Sequence, residues 1–207
     1  MKQRVRTAVL ISGRGSNMVS LLAAAKAADF PAEIILVLSN KPDAAGLAHA
    51  SAAGVEVAAI DHRPFGRDRA AHEAALHAAL QVRDIQLVCL AGYMRILTPF
   101  LVKAWEGRML NIHPSLLPAF PGLHTHARAL QAGVKLHGCT VHWVTETMDE
   151  GPIIAQAAVP VLPGDTEETL AARVLAQEHV LYPLALRAAA GGAPPSPSGN
   201  SFLRNPA

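Results

Sequence analysis

The feature that most constrains this chain is its alternation of short apolar runs with alanine-rich amphipathic stretches. Apolar runs stand at 5–11, 34–38, 55–60 and 87–90, and helix-forming stretches fill the gaps at 18–28, 44–53 and 68–82. Strands that are apolar almost throughout are buried on both faces, as in parallel sheets covered by helices. Gly54 stands just past the second helical stretch, where glycine commonly ends a helix. Regular strand–helix alternation predicts a doubly wound α/β fold. In such folds ligands lie beyond the carboxyl ends of the strands. The residues that follow each strand are therefore the first place to look for chemistry.

The second half is less regular. Thr98-Pro99 predicts an N-cap with proline at the first helical position, opening a short helix to about residue 104. A strand at 109–112 runs into a proline-punctuated loop at 113–122, and strands at 138–144 and 153–161 are expected to pair antiparallel. Asp165, with Glu168 three residues on, predicts a capping box for a long helix ending near residue 190. Pro183 is expected to kink that helix or end it early. Residues 191–207 are rich in Gly, Pro and Ser and are expected to be disordered. The expected fold is α/β, doubly wound and Rossmann-like, with a mostly parallel sheet and antiparallel strands in the C-terminal part.

Bulk properties narrow the function. A chain of 207 residues, 51% apolar and 16% charged, is one well-cored domain and not a disordered segment. A net charge of +2 is too small to argue for nucleic acid or a membrane surface. Cys89 and Cys139 both sit in apolar strand-like runs, which predicts buried, reduced thiols. The basic start is followed by an apolar run that stops at a glycine turn, too early for a secretion signal. No apolar stretch nears the roughly 18 residues of a spanning helix. A cytoplasmic, soluble protein is expected.

Three segments carry candidate chemistry. Gly13-Arg14-Gly15-Ser16-Asn17 follows the first strand and opens a helix, where backbone N–H groups can hold a phosphate. A dinucleotide fingerprint fails there, because Met18 stands where the third glycine belongs. Ser39-Asn40-Lys41 likewise stands where the ribose-binding acid would be. A monophosphate is the better guest, and the bland alternative is an ordinary βα turn. The second segment is Asn111-Ile112-His113-Pro114, at a strand's carboxyl end. Alternation points Asn111 and His113 to one side, where an amide and an imidazole can steady an oxyanion and move a proton. The third is the turn Met148-Asp149-Glu150-Gly151-Pro152, in which Asp149 is either a turn former or a carboxylate that sits against His113 and raises its pKa. His124, His126, His137 and His142 match no zinc spacing. His72 and His77 lie at i, i+5 on a predicted helix and are read as surface or packing residues, and Ser115 lacks a nucleophile elbow.

In order along the chain stand GRGSN, SNKPDAAGL, AGYMRIL, NIHPSLLPAFPGLHTH, HGCTVHWV and MDEGPII. This succession resembles the folate-dependent formyltransferases, and among them those acting on glycinamide ribonucleotide, over about residues 5–187. The resemblance implies one formyltransferase domain over 1–190 and a catalytic trio of Asn111, His113 and Asp149. It implies that Gly15, Ser16 and Asn17 bind the nucleotide's phosphate and that Glu178 holds its ribose. Met94, Arg95, Ile96 and Leu97 would line the pterin pocket, which Thr145, Glu146, Thr147, Met148 and Asp149 would close, with Asn111 also touching the folate. Arg69 would approach the folate's glutamate tail, with Arg67 as the alternative in an arginine-rich stretch that carries an extra residue. The implied reaction is direct transfer of a formyl group from 10-formyltetrahydrofolate to the amine of glycinamide ribonucleotide, without a metal. Asn111 and a protonated His113 would donate to the oxyanion, with Asp149 raising the pKa of His113. The implied partners are small molecules, with no nucleic acid and no membrane, in a monomer or a homodimer. The same trio also marks methionyl-tRNA formyltransferase and formyltetrahydrofolate hydrolase, for which an additional C-terminal or N-terminal domain is expected. A silent nucleotide-binding protein on this fold is the reading from another class.

Overall fold

The computed structural model describes residues 3–191 and the backbone of 202–204. The chain divides into two compact units, Met1–Leu110 and Asn111–Ala207.

In the first unit β1 (Val5–Ile11), β2 (Ala32–Ser39), β3 (Glu56–Ala59) and β4 (Leu87–Leu90) lie in the order β3-β2-β1-β4, all parallel. The two central strands carry the core. Ala8, Val9, Leu10 and Ile11 of β1 and Leu36, Val37 and Leu38 of β2 are fully buried. Around the sheet are α1 (Ser16–Ala25), which packs on α2 (Ala45–Ala52), and α3 (Arg69–Gln81), which packs on α4 (Pro99–Ala104). This is the expected doubly wound α/β arrangement, and it gathers the loops after β1, β2 and β4 at one edge of the sheet. Gly54, at φ 78, ends α2 as its position predicts. Thr98 precedes Pro99 at the start of α4, also as read from sequence. Asp68 caps α3 by accepting the Ala71 N–H at 2.9 Å. The first helix starts two residues earlier than its apolar periodicity indicates. Gly15 is its N-cap at φ 71, so Ser16 and Asn17 belong to the first turn.

Strand β5 (Met109–His113) leads into the second unit, where β6 (Leu136–Trp143) and β7 (Ile153–Pro160) follow in order. They pair antiparallel, as expected. Helix α6 (Glu167–Ala190) packs on both strands through the fully buried Leu170, Val174 and Leu186. A helix that the sequence reading lacks, α5 (Thr125–Ala132), packs against α6.

One expectation about α6 needs correction, and one alternative at Pro183 is removed. The cap is Thr166 with Thr169, in a reciprocal capping box, and not Asp165 with Glu168. The carboxylate of Asp165 pairs with Arg173 at 2.7 and 2.8 Å and accepts the Leu162 N–H and the Thr169 hydroxyl, so it braces the capping side chain and not a helix N–H. Pro183 lies inside the helix and does not end it. Of the tail expected to be disordered, residues 192–201 and 205–207 lie outside the described residues, and Phe202–Arg204 forms a short strand, β8, parallel to β7. No helix among the described residues is long and apolar enough to cross a membrane.

Candidate functional site

In the first unit the loop after β1 has the form of an anion site. Gly15 turns the chain with a left-handed backbone, and Ser16 and Asn17 open α1 with no side chain capping the helix. The first N–H groups of a helix have no acceptor within it and carry the positive end of its dipole. No acidic residue sits in that first turn. The loop is held from below by α2, where the Gly46 N–H donates to the Gly13 carbonyl at 3.0 Å.

A second tie joins this loop to the one after β4. The buried Ser12 hydroxyl donates to Asn40 Oδ1 at 2.6 Å and accepts the Met94 N–H at 2.8 Å, while the Ser12 N–H donates to Gly92 at 3.1 Å. Met94 and Ile96 project from that loop about two-thirds exposed, with Arg95 and Leu97 between them partly covered. The far end of the loop is pinned by the buried Glu73, which accepts the Thr98 N–H at 2.8 Å and also the Thr98 hydroxyl. Arg69, the first residue of α3, brings Nη1 to 3.5 Å from the Ile96 carbonyl. Arg67 lies two residues before it, outside α3, and is exposed. His72 is a packing residue, buried with Nε2 at 2.9 Å from the Ile60 carbonyl, and burial pushes its pKa down. His77 receives the Trp105 indole N–H at 3.2 Å.

The second unit gathers the other three residues. Asn111 and His113 sit two apart on β5, and the turn after β6 brings Asp149 to His113. Asp149 Oδ2 lies 3.5 Å from His113 Nδ1, and both side chains are 8% exposed. The His113 Nε2–H donates to the Phe120 carbonyl at 3.1 Å. Both ring nitrogens therefore face oxygen acceptors, which fixes the orientation of the ring. Asp149 holds a left-handed backbone, φ 60, and accepts the Gly122 N–H at 2.8 Å. Gly151 lets the turn close, since a Cβ there would stand 1.7 Å from the Trp143 carbonyl.

Sequence reasoning missed one member of this cluster. His142 is buried, with Nε2 at 3.2 Å from Asn111 Nδ2 and 3.8 Å from Asp149 Oδ1. Its Nδ1 lies 2.9 Å from the Trp143 carbonyl. Burial lowers its pKa, so the ring is neutral near pH 7. The network then assigns the tautomer, with Nδ1–H donating to Trp143 and bare Nε2 accepting from Asn111. One Asn111 amide hydrogen is thereby fixed on His142, and the other remains for a ligand. The signal was present, because His142 belongs to the HGCTVHWV strand, but only pairing of β5 with β6 shows that it stands beside Asn111.

The β5-to-α5 loop is anchored by Thr140, whose hydroxyl donates to the Ser115 carbonyl at 2.7 Å and accepts the Leu117 N–H at 3.0 Å. His126 and His137 form a hydrogen-bonded pair at 3.2 Å. His124 is exposed. Among the described residues no group of three or more His, Cys, Asp or Glu is placed to hold a metal ion. Glu178 is buried on α6, and Thr145, Glu146, Thr147 and Met148 form the outer part of the turn that carries Asp149. Cys89 and Cys139 are buried and not joined in a disulfide.

Comparison with known proteins agrees with this architecture. The family described as formyl transferase matches residues 5–186. The chain is 46% identical over 178 residues to phosphoribosylglycinamide formyltransferase of Escherichia coli (strain K12), covering 86% of this chain and 84% of that protein. It is 49% identical over 190 residues to the trifunctional purine biosynthetic protein adenosine-3 of Gallus gallus, which covers 92% of this chain but only 19% of that protein. The chain thus spans about a fifth of the length of that relative. The crystal structure of phosphoribosylglycinamide formyltransferase from Brucella melitensis superposes with a TM-score of 0.87 at 60% identity, covering 92% of this chain and 97% of that one. With the family matched over residues 5–186, this chain belongs to the formyl transferases.

Proposed function

We propose that this chain transfers the formyl group of 10-formyltetrahydrofolate to the amine of glycinamide ribonucleotide, a step of purine biosynthesis. The observation that carries the reading is the strand-end pair Asn111 and His113 with Asp149 3.5 Å from the imidazole, in a chain of this family. The relatives named for this reaction, matched over most of both lengths, supply the acceptor. The family match runs through both units, which supports reading 1–190 as one formyltransferase domain.

In the reaction the amine lone pair attacks the formyl carbon and the C=O electrons move onto oxygen. Collapse of that intermediate breaks the bond from carbon to N10, and the proton lost by the amine ends on N10. Asn111 gives the oxyanion the amide hydrogen that His142 leaves free. His113 gives its Nε2–H, exchanging the neutral Phe120 carbonyl for an anion. A hydrogen bond to a charged acceptor is roughly twice as strong, so this exchange favours the transition state over the ground state. Asp149 faces the opposite ring nitrogen, Nδ1, at 3.5 Å and holds the ring in that orientation. The phosphate is assigned to Gly15, Ser16 and Asn17, and the ribose to Glu178. The folate is assigned to Met94, Arg95, Ile96, Leu97 and Arg69, and to residues 145–149.

The test offers 10-formyltetrahydrofolate with three acceptors: glycinamide ribonucleotide, initiator methionyl-tRNA, and water alone. Turnover with the ribonucleotide and none with the others is the expected result. Formate release without an acceptor, or formylation of the tRNA, would overturn the assignment.

A further inference from the structure

The segment Ala44-Ala45-Gly46-Leu47 at the start of α2 has no part in the chemistry described above, yet one of its residues is conspicuous. Gly46 is the second residue of α2, an eight-residue helix, and its backbone φ is not positive. Glycine is a poor helix residue, and any alanine would serve the helix better. The reason for glycine here is therefore space and not backbone conformation. A Cβ at this position would stand 2.5 Å from Ile11 Cδ1, 3.0 Å from the Gly13 carbonyl oxygen and 3.1 Å from the Arg14 carbonyl oxygen. Two of those three atoms are the backbone of the loop assigned to the phosphate. The third belongs to a fully buried side chain with little freedom to retreat. The Gly46 N–H also donates to that same Gly13 carbonyl at 3.0 Å. Gly15 approaches the same place from the other side, since a Cβ built on it would lie 3.4 Å from Gly46 Cα.

We infer that Gly46 is a positioning residue for the nucleotide-phosphate loop, setting through direct backbone contact the curvature that aims the N–H groups of residues 15–17 at the phosphate. The inference rests on the assignment of that loop to the phosphate. The Gly46–Gly13 hydrogen bond turns the Gly13 carbonyl toward α2 and away from the anion, where its negative oxygen would repel a phosphate. The absent side chain lets helix and loop approach to backbone contact. A methyl group would push the Gly13 and Arg14 carbonyls outward while leaving residues 111–149 untouched.

The test compares Gly46→Ala with Ser16→Asp, which sets a carboxylate in the first turn of α1. Ser16→Asp asks whether the loop binds phosphate at all, and Gly46→Ala asks whether α2 shapes it. Steady-state kinetics should show the KM for glycinamide ribonucleotide raised about tenfold or more in both, as misplacement of binding groups does. The KM for 10-formyltetrahydrofolate and the kcat at saturation should hardly move in Gly46→Ala. An unchanged nucleotide KM in Ser16→Asp would overturn the phosphate assignment itself. A raised KM in Ser16→Asp with a normal one in Gly46→Ala would overturn only the role given to Gly46. Should Gly46→Ala fold poorly, Ile11→Val with Gly46→Ala removes Cδ1, the closest clash, and leaves the contacts with the two carbonyls. That double variant should recover its melting temperature yet keep the raised nucleotide KM. Recovery of both would make Gly46 a packing residue for Ile11 and overturn the inference.

Discussion

Asn111 works with half of its amide already committed. Its Nδ2 lies 3.2 Å from His142 Nε2, and this fixes the rotation of a side chain that would otherwise present oxygen or nitrogen with equal ease. Removing one oxyanion donor typically costs 10²–10³ in kcat, so Asn111→Ala should lose on that order. His142→Leu removes the acceptor that orients Asn111 and should lose about tenfold or more by misorientation alone. His142→Gln, which retains an acceptor, should recover part of the loss. In the double variant His142→Leu with Asn111→Ala the losses should not add, since His142 acts through the amide. A kcat that falls by the product of the single losses would show that His142 acts on something else. Asp149→Asn is the matching test of charge. Its backbone at φ 60 suits asparagine as well as aspartate, so the turn should persist. The carboxylate 3.5 Å from His113 Nδ1 and 3.8 Å from His142 Nε2 would be gone. Loss of kcat at an unchanged melting temperature is the expected outcome, and full activity in Asp149→Asn would leave Asp149 a turn residue only.

At the scale of elements, two strand ends and a turn do most of the positioning, and the turn is the most exacting of them. Gly151 is the only residue type that lets the segment 145–151 fold against β6, because a Cβ would press to 1.7 Å from the Trp143 carbonyl, which is backbone and cannot rotate away. Gly151→Ala should therefore shift the whole turn, costing about 1–3 kcal/mol of stability as overpacking does. It should also lower kcat by moving Asp149, while the nucleotide KM stays near normal. Thermal melting and saturation kinetics on the one variant check both parts, and a normal kcat would mean that Asp149 is placed by something other than this turn. Much of this level is legible in sequence. Alternation alone puts Asn111 and His113 on one side of β5, and the strand–helix rhythm yields the first unit's parallel order. What is not legible has physical reasons. Apolar periodicity reports a helix's buried face and not its first turn, so α1 begins at Ser16, two residues before the pattern does. Helix α5 is only eight residues long and buries just Thr125 and Ala129, so no run of large apolar residues marks it in the sequence. Asp165 and Thr166 are both good caps, and Asp165 is drawn instead to Leu162, Thr169 and Arg173, the last eight residues away. The neighbourhood of His142 depends on which strands pair, and that is decided by tertiary packing.

For the molecule as a whole, the histidines tie stability to pH. His72, His126, His137, His142 and His179 all have their pKa values lowered, and burial is the leading cause in each. His137 is pushed down to about 4, a fully buried ring packed edge-on against Phe120 and His126. In the unfolded chain the same group titrates near 6.5. Between those values the unfolded chain binds a proton that the folded one refuses, so stability rises with pH there. Above about 6.5 the folded state keeps its full advantage, and it loses that advantage as pH falls toward 4. A shift of this size corresponds to about 3 kcal/mol for the one group. The other depressed histidines act in the same direction. Denaturant titrations at pH 7, 6, 5 and 4 should show unfolding free energy falling steeply over this window. His137→Phe keeps an aromatic ring in the same place and removes its titration, so its unfolding free energy should fall less steeply below pH 6.5 than that of the parent, whatever its stability at pH 7. Parallel curves for parent and variant would show that His137 does not carry a proton-linked share of the folding energy, and would shift the acid sensitivity to the remaining buried rings.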